Sequence, residues 1–271
     1  MPKVSVVILT FNRATLLERS IQSVLDQTFG DFELIVVDDC STDHTQTSVE
    51  KFLDTRIKYV RHKKNTGEAG GRNTGLKKSK GEYIGYLDDD DEWLPEKLQL
   101  QVKSLEQSPP QVGAVYCGRM DVDVETGEEL GIKVYSEKGD LFPRLLRGNF
   151  LTLSSILLRT ECFEQVGEFD QNIPFGLDYD MWLRISQRYQ FECVSQPLVK
   201  YGIHPKSLSN NLDLKIKGQE AWLKKHDQFF RENLRGYSDL LYALGILYCM
   251  NGETKKGRKA ILHAIQSYPK G

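Results

Sequence analysis

The chain opens with an apolar, β-branched run at residues 4–9, the pattern of a strand buried on both faces of a sheet. From 14 to 27 the spacing changes: Leu17, Ile21, Val24 and Leu25 recur every three or four positions, which predicts a helix. A second apolar run at 34–37 gives way to a helix reaching about residue 53, and a third strand is expected at 57–60. Residues 65–75 hold four glycines around Arg72 and predict a loop in which backbone approaches a ligand closely. The run at 82–87 stops at Asp88-Asp89-Asp90-Asp91-Glu92, and helical spacing resumes from Pro95 to about 107, where Pro109-Pro110 ends it. Strands alternating with helices predict an α/β protein built on a parallel sheet.

Further strands are expected at 112–116, 154–158 and 191–194, with a less regular stretch containing Gly, Glu and Lys at 118–149. Helical spacing follows Asp178, and from about 211 the chain reads as helix. In that tail Leu241, Leu244, Gly245, Tyr248, Gly257, Ile261, Ala264 and Pro269 fall at the spacings of one tetratricopeptide-type hairpin, with Leu for the usual Trp and Gly257 for the usual Ala. A single repeat cannot bury its own face, so it would pack on the preceding domain, on a second subunit or on further repeats. An ordinary helical hairpin with small residues at its crossing fits the same positions.

A length of 271 residues allows one large domain or one domain with an appendage. The net charge of −2 argues against nucleic acid as a bulk partner, and no apolar run approaches the roughly 20 residues of a membrane span. The chain enters its first strand without a signal peptide, and its five cysteines lack metal-ligand spacing, so a cytoplasmic protein with reduced thiols is expected. Charge is uneven: residues 200–271 carry about 13 Lys and Arg against about 6 Asp and Glu, which suits a solvated helix face or contact with an anionic membrane surface.

The acidic turn changes the picture most. Adjacent carboxylates repel, and fixing several on one strand-to-helix turn makes sense when a cation or proton is shared. Mg2+ or Mn2+, which take oxygen ligands and bridge carboxylates to a substrate diphosphate, suit such a turn. The acids alone also fit a solvated cap on the following helix. Their place at the carboxyl end of a strand is where open α/β sheets bind ligands.

Four blocks in order, Val4 to Arg13, Val36-Val37-Asp38-Asp39-Cys40-Ser41-Thr42-Asp43, Gly71-Arg72-Asn73 and Tyr86-Leu87-Asp88-Asp89-Asp90-Asp91, resemble the successive motifs of family 2 inverting glycosyltransferases. The resemblance covers about residues 3–205. It implies a GT-A fold, a Rossmann-like, mixed but mostly parallel sheet flanked by helices. The implied domain is 1–210, with a nucleotide-sugar half at 1–117 and an acceptor half at 118–210, followed by a helical extension at 211–271.

By the same resemblance, the first block (Thr10, Phe11 and Asn12) meets the nucleotide, with Phe11 stacking on the base unless it is a core residue. Asp39 would accept the imino hydrogen of uracil, with Asp38 assisting or holding the loop, and Arg72 would meet base, ribose or diphosphate. Asp88 would lie near ribose and metal, Asp90 would ligate the metal directly, Asp89 would join the nucleotide site or serve as a further ligand, and Asp91 would be a further ligand or a cap of the following helix. Pro174 to Arg184 resembles the block whose first Asp is the catalytic base, here Asp178, with Leu177 where many relatives carry Glu. Asp178 as a helix N-cap is compatible with that role, and Asp180 should face elsewhere. His204 is a candidate for the metal or diphosphate, and Lys206 with the nearby serines for a lid. The implied partners are a nucleotide-sugar donor, most simply a UDP-sugar, and a saccharide or glycolipid acceptor in cell-envelope synthesis. The C-terminal helices are candidates for a homodimer or a peripheral membrane contact. A metal-dependent nucleotidyltransferase would want a Gly-rich phosphate loop where Thr10-Phe11-Asn12-Arg13 stands, and a non-catalytic scaffold would have less use for Asp178 and Asp90.

Overall fold

In the computed structural model, which describes residues 1–205 and 207–269, the apolar runs become the centre of a mixed sheet. Its first strands are β1 (Val4–Thr10), β2 (Phe32–Asp38), β3 (Ile57–Arg61) and β4 (Tyr83–Asp88), all parallel in the order β3-β2-β1-β4. Past β4 the sheet turns mixed. β8 (Ile156–Arg159) runs antiparallel to β4 and to β6 (Val112–Asp123), while β9 (Gln190–Ile203) runs parallel to β6. The short β5 (Glu92–Trp93) closes on β9, and β7 (Glu129–Lys133) forms a hairpin with β6.

Alternation along the strands sorts their neighbours. Val4, Val6 and Ile8 of β1 face Leu17, Ile21 and Val24 of α1 (Ala14–Leu25) and Leu98, Val102 and Leu105 of α4 (Lys97–Gln107), all essentially excluded from solvent. Val7 and Leu9 face α3 (Gly67–Lys78) on the other side.

That helix corrects an expectation, because residues 65–75 were read as a loop. A Cβ at Gly71 would lie 2.2 Å from a Leu9 methyl, and one at Gly75 2.3 Å from a Val7 methyl. The glycines let a helix lie directly on the sheet, with only Ala69 and Leu76 as apolar side chains and no apolar stripe to announce it. β6 and β9 also extend well beyond the expected 112–116 and 191–194, as partly exposed strands with bulges.

The chain parts into two compact units that differ from the expected division at 117 and 210. One comprises residues 1–139, 151–169 and 188–204 and holds the whole sheet. The other joins 140–150 and 170–187 to the C-terminal helices. In this second unit α5 (Phe142–Leu145) and α7 (Leu177–Ser186) pack with α8 (Leu212–Lys225), α9 (Asp227–Glu232), α10 (Leu234–Met250) and α11 (Thr254–Ser267). The physical tie is a buried aromatic and ionic seam. Tyr179 meets the Trp222 ring edge-on at 4.8 Å, and Asp180, fully buried, contacts Lys225 and His226. α10 and α11 cross where Gly245 and Gly257 leave no room for a Cβ. No helix among the described residues is long and apolar enough to cross a membrane, and the five cysteines are free thiols.

Candidate active site

Register brings the chemistry of the first unit together. β1 and β4 are neighbours with Leu9 opposite Asp88, so the residues just after β1 face the acidic turn after β4 although nearly eighty positions separate them. Thr10 Oγ1 donates to Asp89 at 2.7 Å, and Arg13 Nη1 bridges Asp89 at 2.9 Å and Asp90 at 2.8 Å. His204, arriving at the end of β9, sets Nε2 3.0 Å from the same Asp90 carboxylate. Arg72, buried on α3, donates to Asp88 at 3.0 Å, and its neighbour Asn73 pins the backbone of Phe169 through two 2.9 Å hydrogen bonds.

The acids are not alike. Asp88 is half-buried, whereas Asp89 and Asp91 are buried. Burial pushes the Asp89 carboxyl up to about 7 despite the pull of Arg13. Burial, with the charges of Asp90 and Asp88, also raises Asp91 well above the usual carboxylate range. Asp91 accepts from Ser154 Oγ at 2.5 Å and from the Gly202 backbone N–H at 2.8 Å, so its orientation is fixed. Ligand oxygens of Asp88, Asp90 and Asp91 lie within 4.8 Å of one another. Hard oxygen donors, converging and mutually repelling, fit a divalent cation that would relieve the repulsion.

The other expected nucleotide residues take more varied places. Phe11 is 45% exposed, so it is a surface aromatic and not a core residue. Asn12 holds a positive φ of 55° and accepts the Thr42 N–H, organising the turn after β2. Asp38 is buried, accepts from the Ser41 backbone and contacts the Tyr59 hydroxyl. Asp39 has both carboxylate oxygens engaged. It accepts the Thr66 and Gly67 N–H groups, each at 2.8 Å, with Thr66 Oγ1 at 2.9 Å and His62 Nδ1 at 2.7 Å also in contact. It thereby fixes the entry to α3. Arg13, Ser154 and the His62–Thr66 pair were not singled out from sequence. Arg13 was discoverable only by knowing that β1 and β4 are adjacent.

In the second unit, Asp178 lies in the first turn of α7. The N-cap is Gly176 at φ 71°, so Asp178 does not cap its own helix, although its charge suits the helix N-terminal end. Asn149 Nδ2 approaches its Oδ2 at 3.3 Å. Leu177 is buried, an apolar packing residue. Asp180 points away into the seam, where Arg184, Lys225 and His226 surround it. Burial alone would raise its pKa, but those partners outweigh burial and hold it down at about 2. Lys206 lies outside the described residues.

A parallel half-sheet extended by antiparallel strands, with an acidic turn at the end of its fourth strand, defines an α/β protein of the GT-A fold. The model of glycosyl transferase family 2 matches residues 5–167, and the chain belongs to that family. An uncharacterized glycosyltransferase of Rickettsia bellii (strain RML369-C) is 36% identical over 203 residues, 74% of this chain but 29% of the relative's length. The UDP-Glc:alpha-D-GlcNAc-diphosphoundecaprenol beta-1,3-glucosyltransferase WfgD of Escherichia coli is 30% identical over 218 residues, 80% of this chain and 83% of that one. Among solved structures, Staphylococcus aureus TarS 1–349 in complex with UDP aligns with TM-score 0.65 at 19% identity, covering 97% of this chain and 91% of that one. The mannosyltransferase PcManGT of Pyrobaculum calidifontis in complex with GDP-Man and Mn2+ aligns with TM-score 0.67 at 20% identity, covering 98% and 76%.

Proposed function

We propose that the protein transfers a sugar, with inversion, from a nucleotide-sugar donor to an acceptor hydroxyl in the assembly of a cell-envelope polysaccharide or glycolipid. The observation that carries this reading is the convergence of Asp88, Asp90 and Asp91 at the end of β4, flanked by Arg13 and Arg72, in the same unit as the exposed ring of Phe11. Phe11 offers a face to the base, and Arg72 offers fixed positive charge to ribose or diphosphate. Asp88, Asp90 and Asp91, with His204, would hold Mg2+ or Mn2+, which when bound neutralises the charge of the departing diphosphate.

Asp178 acts as the general base. It accepts the proton of the acceptor hydroxyl as that oxygen bonds to the anomeric carbon and the bond from this carbon to the diphosphate oxygen breaks. One displacement with one base inverts the centre, turning an α-linked donor into a β-linkage.

A UDP-sugar is the favoured donor, supported by the uridine nucleotides in the names of the E. coli and S. aureus relatives. Asp39 is engaged by the loop at Thr66 and Gly67, so any base N–H that binds it, of uracil or of guanine, would have to displace one of those N–H groups. Calorimetric titration with UDP, dTDP and GDP, each with and without Mn2+, tests both points. Metal-dependent binding of UDP is the expected result. A preference for GDP would reassign the base contact, and no binding of any of the three would remove the enzymatic reading.

A further inference from the structure

We propose that the outer face of the α10–α11 hairpin docks on an anionic lipid surface. The two helices meet at Gly245 and Gly257, and the Tyr237–His263 ring contact, with centroids 5.6 Å apart, marks one flank of that crossing. At about 3.6 residues per turn, the opposite flank is formed by Tyr242, Ile246 and Met250 on α10 and by Arg258, Leu262 and Ile265 on α11. The five apolar residues there are between 38% and 64% exposed. Nothing in the hairpin's own packing uses them, since Leu241, Leu244, Tyr248 and Ala264 already fill its buried side.

Charge selects the occupant. α11 carries Lys255, Lys256, Arg258 and Lys259 in its first six residues and no acid anywhere. Cations at a helix N-terminus oppose the macrodipole, so this placement weakens the helix and calls for a favourable contact outside it. Lys256 pairs with Glu253, just before the helix, while Lys255, Arg258 and Lys259 make no ion pair among the described residues. Lys255, Arg258, Leu262 and Ile265 fall three or four residues apart and so share a stripe, cationic at one end and apolar at the other. An apolar strip beside uncompensated cations is the chemistry of an interfacial helix on acidic phospholipid, where long Lys and Arg stems bury and their heads reach the phosphates. A second copy of this face would meet the same cations without countercharge, because the face supplies no carboxylate to itself.

The test is co-sedimentation of the full chain with phosphatidylcholine vesicles, with and without phosphatidylglycerol, in the absence of donor and acceptor. Binding to the anionic vesicles alone, weakening as salt rises, is expected. The triple reversal Lys255→Glu, Arg258→Glu and Lys259→Glu should weaken it about a hundredfold or more. The pair Leu262→Ser and Ile265→Ser should weaken it while keeping the salt dependence. All five positions are solvent-facing, and circular dichroism and UDP titration of the variants report whether the fold is intact. Equal binding to neutral vesicles, no binding to either, or wild-type binding by the charge-reversed chain would overturn the proposal. So would a dimer in light scattering that the serine pair dissolves while vesicle binding persists. Because no substrate is present, these outcomes are independent of the proposed reaction.

Discussion

Arg13 shows how closely the acidic turn is balanced. One guanidinium spans two carboxylates, one of them buried, and a charged group left buried without its partner costs far more than the pair contributes in forming. Arg13→Gln should lower stability by roughly 2–3 kcal/mol, measured by urea denaturation, a loss larger than a surface ion pair would give. Asp90→Asn should abolish the metal-dependent part of nucleotide binding in the titration. Asp178→Asn should lower kcat by about 10²- to 10⁴-fold while nucleotide binding stays as in the wild type. Transfer at the wild-type rate by that variant would remove Asp178 from the mechanism. At this scale the sequence exposed the carboxylates but not their hierarchy. Four consecutive aspartates look equivalent on paper, and only the fold separates half-exposed Asp88 from Asp91, which Ser154 and Gly202 clamp.

Elements differ in how much they announce. The central parallel strands β1, β2 and β4 were legible because strands buried on both faces must be almost continuously apolar. α3 was not, because it packs through missing side chains and has no apolar stripe. Gly75→Val is therefore expected to be among the costlier single changes in the first unit, about 1–3 kcal/mol by thermal or urea unfolding, since a Cβ there meets Val7 at 2.3 Å. The outer ends of β6 and β9 were missed for a different reason: partly exposed strands with bulges carry no clean period. α7 depends on Asp180. Its folded pKa of about 2 lies below the value of about 3.9 expected when unfolded, so its ionisation stabilises the fold fully above pH 4. That contribution, on the order of 2 kcal/mol, is lost as pH falls from about 4 towards 2. Acid unfolding of an Asp180→Asn variant, followed by tryptophan fluorescence, should show a shallower dependence across this window, from a lower starting stability.

For the whole molecule, the partition into units decides where a ligand's stabilisation appears. Nucleotide with Mn2+ at a hundred times its dissociation constant should stabilise the native state by about 2.7 kcal/mol. Hydrogen exchange should slow most in segments of the first unit around residues 10–13, 65–73 and 86–92. Uniform protection of α8 to α11 instead would place the nucleotide elsewhere. The second unit was foreseen only as a helical tail. Sequence order kept α7 apart from it, and the seam that joins them rests on single residues, Tyr179 and Asp180 meeting Trp222, Lys225 and His226, that no periodicity links.

The order of strands also sets a timetable for synthesis. β4 lies between β1, made more than seventy residues earlier, and β8, made nearly seventy residues later. A nascent chain that has emerged only to the end of α4 can complete the parallel half-sheet, but the edge of β4, the mostly apolar run Tyr83–Asp88, then has no strand beside it. Until β8 arrives, that edge is open to pairing with any other extended chain. Slow translation through residues 108–155 would lengthen this interval, and the yield of soluble protein should depend more on the pace of synthesis there than over the C-terminal helices.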